Sequence, residues 1–204
     1  MPKLKIARSE WYAIPNILGY IRILLIPLFV WKYLSAQTNL DYYIAAGIIV
    51  LSSLTDMLDG KIARKFNQIT DLGKILDPIA DKLTLCAILI CFSLKFDAIF
   101  QMLLLLFLVK EITMGLLTIL LFKKHGKKLN GAKWFGKFAT AVTDVLIVIL
   151  LLFPQSMQHD IYSRYMIYTM IFIIGCVMLF AFIMYTKVLL GMLFDAIRNN
   201  KKNR

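Results

Sequence analysis

Between Asp56 and Lys82 the chain carries five of its 12 acidic residues: Asp56, Asp59, Asp71, Asp77 and Asp81. Residues three or four apart share one face of a helix, so Asp56 and Asp59 project together, as do Asp77 and Asp81. Asn67, Gln68, Thr70 and Gly73 lie between the two pairs and supply turn chemistry, with Asp71 among them. Two helix ends meeting there bring four carboxylates into one cluster. Clustered carboxylates repel one another, and ionised groups are costly at membrane depth, so the cluster calls for cations. Oxygen-only donors favour hard divalent ions, whereas zinc usually recruits His or Cys. Mg2+ held by a few carboxylates commonly holds phosphate as well, and a phosphorylated substrate is therefore expected.

The elements that must position these acids are read from the apolar pattern. The chain has 204 residues, 60% of them hydrophobic, and a mean hydropathy of +0.73. A soluble domain of that size needs more polar surface. A spanning helix takes about 20 apolar residues, and suitable runs fall at about residues 14–35, 41–60, 78–95, 97–122, 134–153 and 162–190. The runs are continuous rather than alternating, which argues against a membrane β-barrel. The expected fold is all-α: a polytopic membrane protein with six transmembrane helices. A short interfacial helix is expected before the first span, where Leu4, Ile6, Trp11 and Ile14 mix with Lys and Arg and Pro15 marks the turn into the membrane. No repeat, low-complexity segment or long linker divides the chain, so residues 1–204 are read as a single domain.

Charge sets the expected orientation. Seventeen of the 24 basic residues fall on one side of a six-span topology, at both termini and in the loops near Lys61–Lys74 and Lys123–Lys137. By the positive-inside rule the termini and the acidic cluster face the cytoplasm. The net charge of +12 is then a topology signal with some attraction for anionic lipid, and nucleic acid is not an expected partner. Cys86, Cys91 and Cys176 lie in spans without CxxC spacing and read as packing thiols. His125 and His159 fall in opposite loops and cannot share a site.

Asp56, Asp59, Gly60, Ala63, Arg64, Gly73, Asp77 and Asp81 reproduce the pattern D-x2-D-G-x2-A-R-x8-G-x3-D-x3-D. The chain resembles the CDP-alcohol phosphatidyltransferase family in this signature and over its whole length. The resemblance implies six transmembrane helices, usually in a homodimer, with a cytoplasmic active site. It implies that Asp56, Asp59, Asp77 and Asp81 hold two Mg2+ or Mn2+ ions and that Asp81 is the general base. Asn16, Gly60, Ala63, Arg64 and Gly73, with the metal-bound Asp56, Asp59 and Asp77, would bind the CDP-lipid, CDP-diacylglycerol. An alcohol would then attack the phosphorus next to diacylglycerol, and CMP would leave.

Bacterial members of the family most often use glycerol 3-phosphate as the alcohol, and Pro15, Asn16, Arg22 and Pro27 are similar to their N-terminal pattern. Gly19 stands where the family often has Ser or Thr. Arg22, Lys110 and Lys137 are the candidate ligands of an acceptor phosphate, Lys137 within a G-K-x-x-T stretch formed by Gly136, Lys137 and Thr140. Lys110 beside Glu111 interrupts the fourth span, and a packing ion pair is the alternative reading of that pair. These synthases commonly carry G-L-R on the fourth helix, whereas this chain has Gly115, Leu116 and Leu117. That departure keeps phosphatidylglycerol, the acceptor of a cardiolipin synthase, as an alternative. A cation transporter or channel is the reading from a different class, although a pathway would spread its polar groups through the membrane depth. A bacterial cytoplasmic membrane is the expected location.

Overall fold

The computed structural model describes residues 8–65, 70, 72–125, 134–152 and 160–202. A 3-10 turn, Arg8–Tyr12, leads into six helices: α1 Ile14–Leu34, α2 Asn39–Lys65, α3 Gly73–Lys95, α4 Ala98–His125, α5 Trp134–Leu152 and α6 Ile161–Lys202. No strand occurs among the described residues. In hydrocarbon a helix satisfies its own backbone, and that requirement selects the architecture. Five helices are long and apolar enough to cross a membrane, over Ile14–Leu34, Asn39–Ala63, Ala98–Leu121, Trp134–Leu152 and Ile161–Phe194. The chain is an integral membrane protein.

Three expectations change in detail. The helix expected at 78–95 is present as α3 but is not among the five, because Lys74, Asp77, Asp81 and Lys82 charge its first turns and leave too short an apolar run. Of the expected N-terminal interfacial helix, the described part is the 3-10 helix Arg8–Tyr12, whose Trp11 and Tyr12 are exposed; residues 1–7 lie outside the described residues. The last helix runs well past residue 190: its 42 residues extend about 63 Å at 1.5 Å per residue, roughly twice the hydrocarbon thickness.

The chain forms two compact units, Met1–Asp97 with Leu151–His159, and Ala98–Leu150 with Asp160–Arg204. In the first, α1 packs along both α2 and α3. Small residues permit this approach: Ala45, Ala46 and Ala80 are buried, and a Cβ on Gly19 would run into the Leu76 side chain. The departure at Gly19 is thus a packing solution between α1 and α3. In the second unit α4 packs on α6. Phe100, Leu103 and Phe107 face inward from α4, as do Ile167, Ile171, Ile174, Met178 and Ala181 from α6. Their alternating steps of three and four residues form one seam on helices that are apolar all round. Phe135 of α5 sets its ring 4.7 Å from that of Tyr185 on α6, and a Cβ at Gly136 would collide with the Tyr185 side chain.

At the far end of the first unit from Pro15, polar groups lock the α1–α2 connection. Thr38 and Asp41 cap α2 reciprocally: Thr38 N–H and Oγ1–H donate to Asp41 Oδ2 at 3.0 and 2.8 Å, and Asp41 N–H returns to Thr38 Oγ1 at 3.3 Å. Lys32 of α1 pairs with the other Asp41 oxygen at 2.7 Å. Lys95, at the end of α3, donates to the Ala36 carbonyl at 3.2 Å and to Tyr42 Oη at 2.8 Å, and its ammonium stands over the rings of Tyr33 and Tyr42. Lys95→Met keeps the aliphatic stem and removes these bonds. It is expected to cost about 1–2 kcal/mol, read as a lower thermal midpoint in detergent; an unchanged midpoint would contradict the lock.

Candidate active site

At the other end of the first unit the acids meet. Asp56 and Asp59 leave one face of α2, which continues as an unbroken helix through Gly60 and Ala63 to Lys65. Asp77 and Asp81 leave α3 one turn apart. Between them, from the middle of α1, comes Arg22. Its Nη2 donates to Asp59 Oδ2 at 2.8 Å and also pairs with Asp56 Oδ1, while Nη1 donates to Asp81 Oδ1 at 2.8 Å. A fork of fixed N–H donors is the side chain best suited to several carboxylates at once.

Burial divides this cluster into a floor and a mouth. The side chains of Arg22 and Asp59 are 2% and 5% exposed, whereas those of Asp56 and Asp81 are 43% and 60% exposed. The latter two can therefore meet a ligand without rearrangement of the core. Asp77 is half-buried and within electrostatic reach of Arg22 and Asp56. Arg22 Nε is buried and has no hydrogen-bond partner. Breaking a buried ion pair by removing one partner costs roughly 3–5 kcal/mol, so the guanidinium and Asp59 depend on each other.

The start of α3 is fixed by a second polar group. Asn16, buried near the start of α1, donates from Nδ2 to the Glu10 carbonyl at 2.6 Å, and its Oδ1 accepts from Thr70 Oγ1 at 3.0 Å. Thr70 Oγ1 in turn accepts the Gly73 N–H at 2.9 Å, and the Glu10 carboxylate accepts the Leu72 N–H at 3.1 Å. Two N–H groups at the entry to α3, which lack carbonyl partners within the helix, are satisfied this way. A Cβ on Gly73 would come within 2.8 Å of Asn16 Oδ1, so the glycine makes room for this chain of bonds. The 3-10 turn, α1 and α3 are thereby joined one turn before Asp77.

The sequence-derived site residues distribute as follows. Asp56, Asp59 and Asp81 converge on Arg22, and Asp77 lies beside them. Gly60 and Ala63 are half-buried on α2, and Asn16 and Gly73 belong to the bond network at the start of α3. The Arg64 side chain, Asn67, Gln68 and Asp71 lie outside the described residues. Lys110 and Lys137 belong to the second unit. There Lys110 pairs with Glu111 at 2.9 Å and stands over the Phe107 ring, while Lys137 is exposed in the first turn of α5. Sequence reasoning missed Glu10, which carries no motif. It also missed Arg22 as the partner of the acids, although a lone Arg inside an apolar helix signals that a partner exists elsewhere.

By type the carboxylates fit a hard divalent cation, since all the donors are oxygens and three already converge on one cationic group. As arranged, no group of three or more His, Cys, Asp or Glu among the described residues is set out to hold a metal ion. Three of the acids are turned onto the guanidinium instead.

A model of the CDP-alcohol phosphatidyltransferase family matches residues 12–193. The chain belongs to this family. A cardiolipin synthase (CMP-forming) of Streptomyces coelicolor is 36% identical over 130 residues, 62% of this chain and 59% of the relative. A CDP-diacylglycerol--glycerol-3-phosphate 3-phosphatidyltransferase of Rickettsia felis is 40% identical over 98 residues, 48% of this chain and 53% of the relative. Its counterpart in Rickettsia bellii is 42% identical over 84 residues, 41% and 46% of the two chains. The chain thus spans about half the length of the curated relatives it matches. The entry to α3 is where positional error would reach Asp77 and Asp81. Glu10→Ala is expected to accelerate amide exchange at Leu72 by about tenfold, as loss of that one bond implies; unchanged exchange at Leu72 would remove the Glu10 carboxylate from the network.

Proposed function

We propose that this protein transfers the phosphatidyl group of CDP-diacylglycerol to glycerol 3-phosphate and releases CMP, in a divalent-metal-dependent reaction of phospholipid biosynthesis. The observation that carries the proposal is the convergence of Asp56 and Asp59 from α2 and Asp81 from α3 on Arg22 of α1, within the family's signature. Membership of the family replaces the transporter reading. The residues proposed to hold two Mg2+ or Mn2+ ions are Asp56, Asp59, Asp77 and Asp81. When bound, such ions supply neutralisation of the phosphate charge that develops in the transition state.

The chain's own groups are assigned as follows. Asp81 is the general base: its side chain is exposed, so a free carboxylate oxygen can receive the proton of an entering alcohol. The alcohol oxygen forms a bond to the phosphorus next to diacylglycerol, the bond from that phosphorus to CMP breaks, and the alcohol proton passes to Asp81 and then to solvent. Gly60, Ala63, Asn16, Gly73 and Arg64 are proposed to accommodate the CDP-lipid, because small residues on α2 leave room beside Asp59. Arg22, Lys110 and Lys137 are proposed for an acceptor phosphate, the two lysines on motif resemblance alone. The protein is further proposed to be one phosphatidyltransferase domain over residues 1–204 and a homodimer in a bacterial cytoplasmic membrane, with termini and carboxylates cytoplasmic, as the distribution of Lys and Arg supports.

A second reading takes phosphatidylglycerol as acceptor. Leu117 in place of an arginine favours it, and so does the cardiolipin synthase likeness over 62% of the chain. CMP release by the purified protein with CDP-diacylglycerol and Mn2+, each alcohol offered separately, decides between them. Release with glycerol 3-phosphate supports the first reading, and release with phosphatidylglycerol alone supports the second. Asp81→Asn is expected to lower transfer at least about a hundredfold while binding of CDP-diacylglycerol persists. If binding and turnover fall together, Asp81 is not the base. Asp56→Asn is expected to raise the concentration of Mn2+ and of CDP-diacylglycerol needed for half-maximal rate.

A further inference from the structure

Arg22 sits in the middle of the proposed reaction centre, anchored on α1 with a side chain 2% exposed. Three carboxylates pair with it and Asp77 lies within its field, so among the described contacts one guanidinium is shared by several acids. A mid-helix side chain in a packed core cannot leave the site, only change partners. Its Nη atoms bind three carboxylates from two other helices, and its Nε, buried in the same place, donates to nothing. A buried donor without an acceptor is an unsatisfied group that an anion can satisfy.

We propose that Arg22 is a positioning residue that gathers Asp56, Asp59 and Asp81 in the cation-free protein and yields them to a divalent cation. The guanidinium then takes an anionic phosphate oxygen of substrate in their place. This rests on the divalent-metal reading above. The two cations compete because they claim the same oxygens: Asp56 Oδ1 and Asp59 Oδ2 both close on a single Nη2. Arg22 therefore serves two states. Without metal it prevents four acids from repelling one another and keeps α1, α2 and α3 in register. With metal it loses its acceptors, and a buried guanidinium without acceptors is itself costly, so phosphate binding is coupled to metal binding and follows it. A purely structural Arg22 would have no such coupling, because its removal would only disorder the carboxylates and weaken cation binding.

Mn2+ binding to the full chain in detergent, without lipid or alcohol, tests the exchange. R22Q is expected to bind Mn2+ about tenfold more tightly than the wild type, because the carboxylates no longer have to be taken from a buried cation. Its thermal midpoint should be lower in EDTA and should rise further with Mn2+ than that of the wild type. Equal or weaker Mn2+ binding by folded R22Q overturns the proposal; if D59N also weakens binding, the metal reading still stands. Absence of Mn2+ binding by every form overturns both. Should R22Q fail to fold, the wild type itself decides. With R22K used to assign the Arg22 guanidinium resonances, their displacement on adding Mg2+ supports the exchange, and signals unchanged at saturating Mg2+ overturn it.

Discussion

The constraint on which this end of the protein depends is the gathering of Asp56, Asp59 and Asp81 by the buried guanidinium of Arg22. Asp59 is nearly as inaccessible as Arg22, and an unpaired carboxylate there would not be tolerated. Arg22 must therefore point at α2 from α1, and Asp81 on α3 completes the fork. The close approach of the helices follows from it. Gly19 sits one turn before Arg22, where a side chain would meet Leu76 of α3, so the backbones can come near enough for a fixed-length arginine to reach both carboxylate pairs.

The two ends of the first unit answer different needs. At the Lys95 end, capping by Thr38 and Asp41, the Lys32 pair and the aromatic group of Tyr33, Tyr42 and Phe92 are built for stability, with few groups left to react. At the Arg22 end, bonds from Glu10, Asn16 and Thr70 fix where α3 begins, while Asp56 and Asp81 remain exposed. Rigid support beneath open carboxylates is the division the proposed phosphatidyl transfer requires, because misplacement of reacting groups by even an ångström is costly in rate. Burial of Asp59 beneath Asp56 also gives the signature's two acids distinct surroundings although they share one helix face.

Much of this was legible in the sequence. Continuous apolar runs announce the helices, and the i,i+3 and i,i+4 spacings place Asp56 with Asp59 and Asp77 with Asp81. The signature from Asp56 to Asp81 marks the family. Three features were not readable, each for a physical reason. The first turns of α3 mix Lys74, Asp77, Asp81 and Lys82 with apolar residues, so the apolar run from residue 78 does not show that the helix begins at Gly73. Arg22 lies far in sequence from its acids, and one chain contains nothing that names its partner. Glu10 acts through a backbone N–H, an interaction available to any acid in that position, so no residue pattern marks it. On α4 and α6 the apolar residues cover all faces, and only packing distinguishes the inward seam of Phe107 and Ile174 from the lipid-facing remainder.

The most direct test is a crystal structure of the full chain grown with Mn2+ and a CDP-lipid, with anomalous scattering used to locate the manganese. The account predicts Mn2+ within coordination distance of Asp56, Asp59, Asp77 and Asp81, and the Arg22 guanidinium turned from at least two of these carboxylates toward a phosphate oxygen. Manganese bound elsewhere, or bound there with all three Arg22 ion pairs intact, would contradict it.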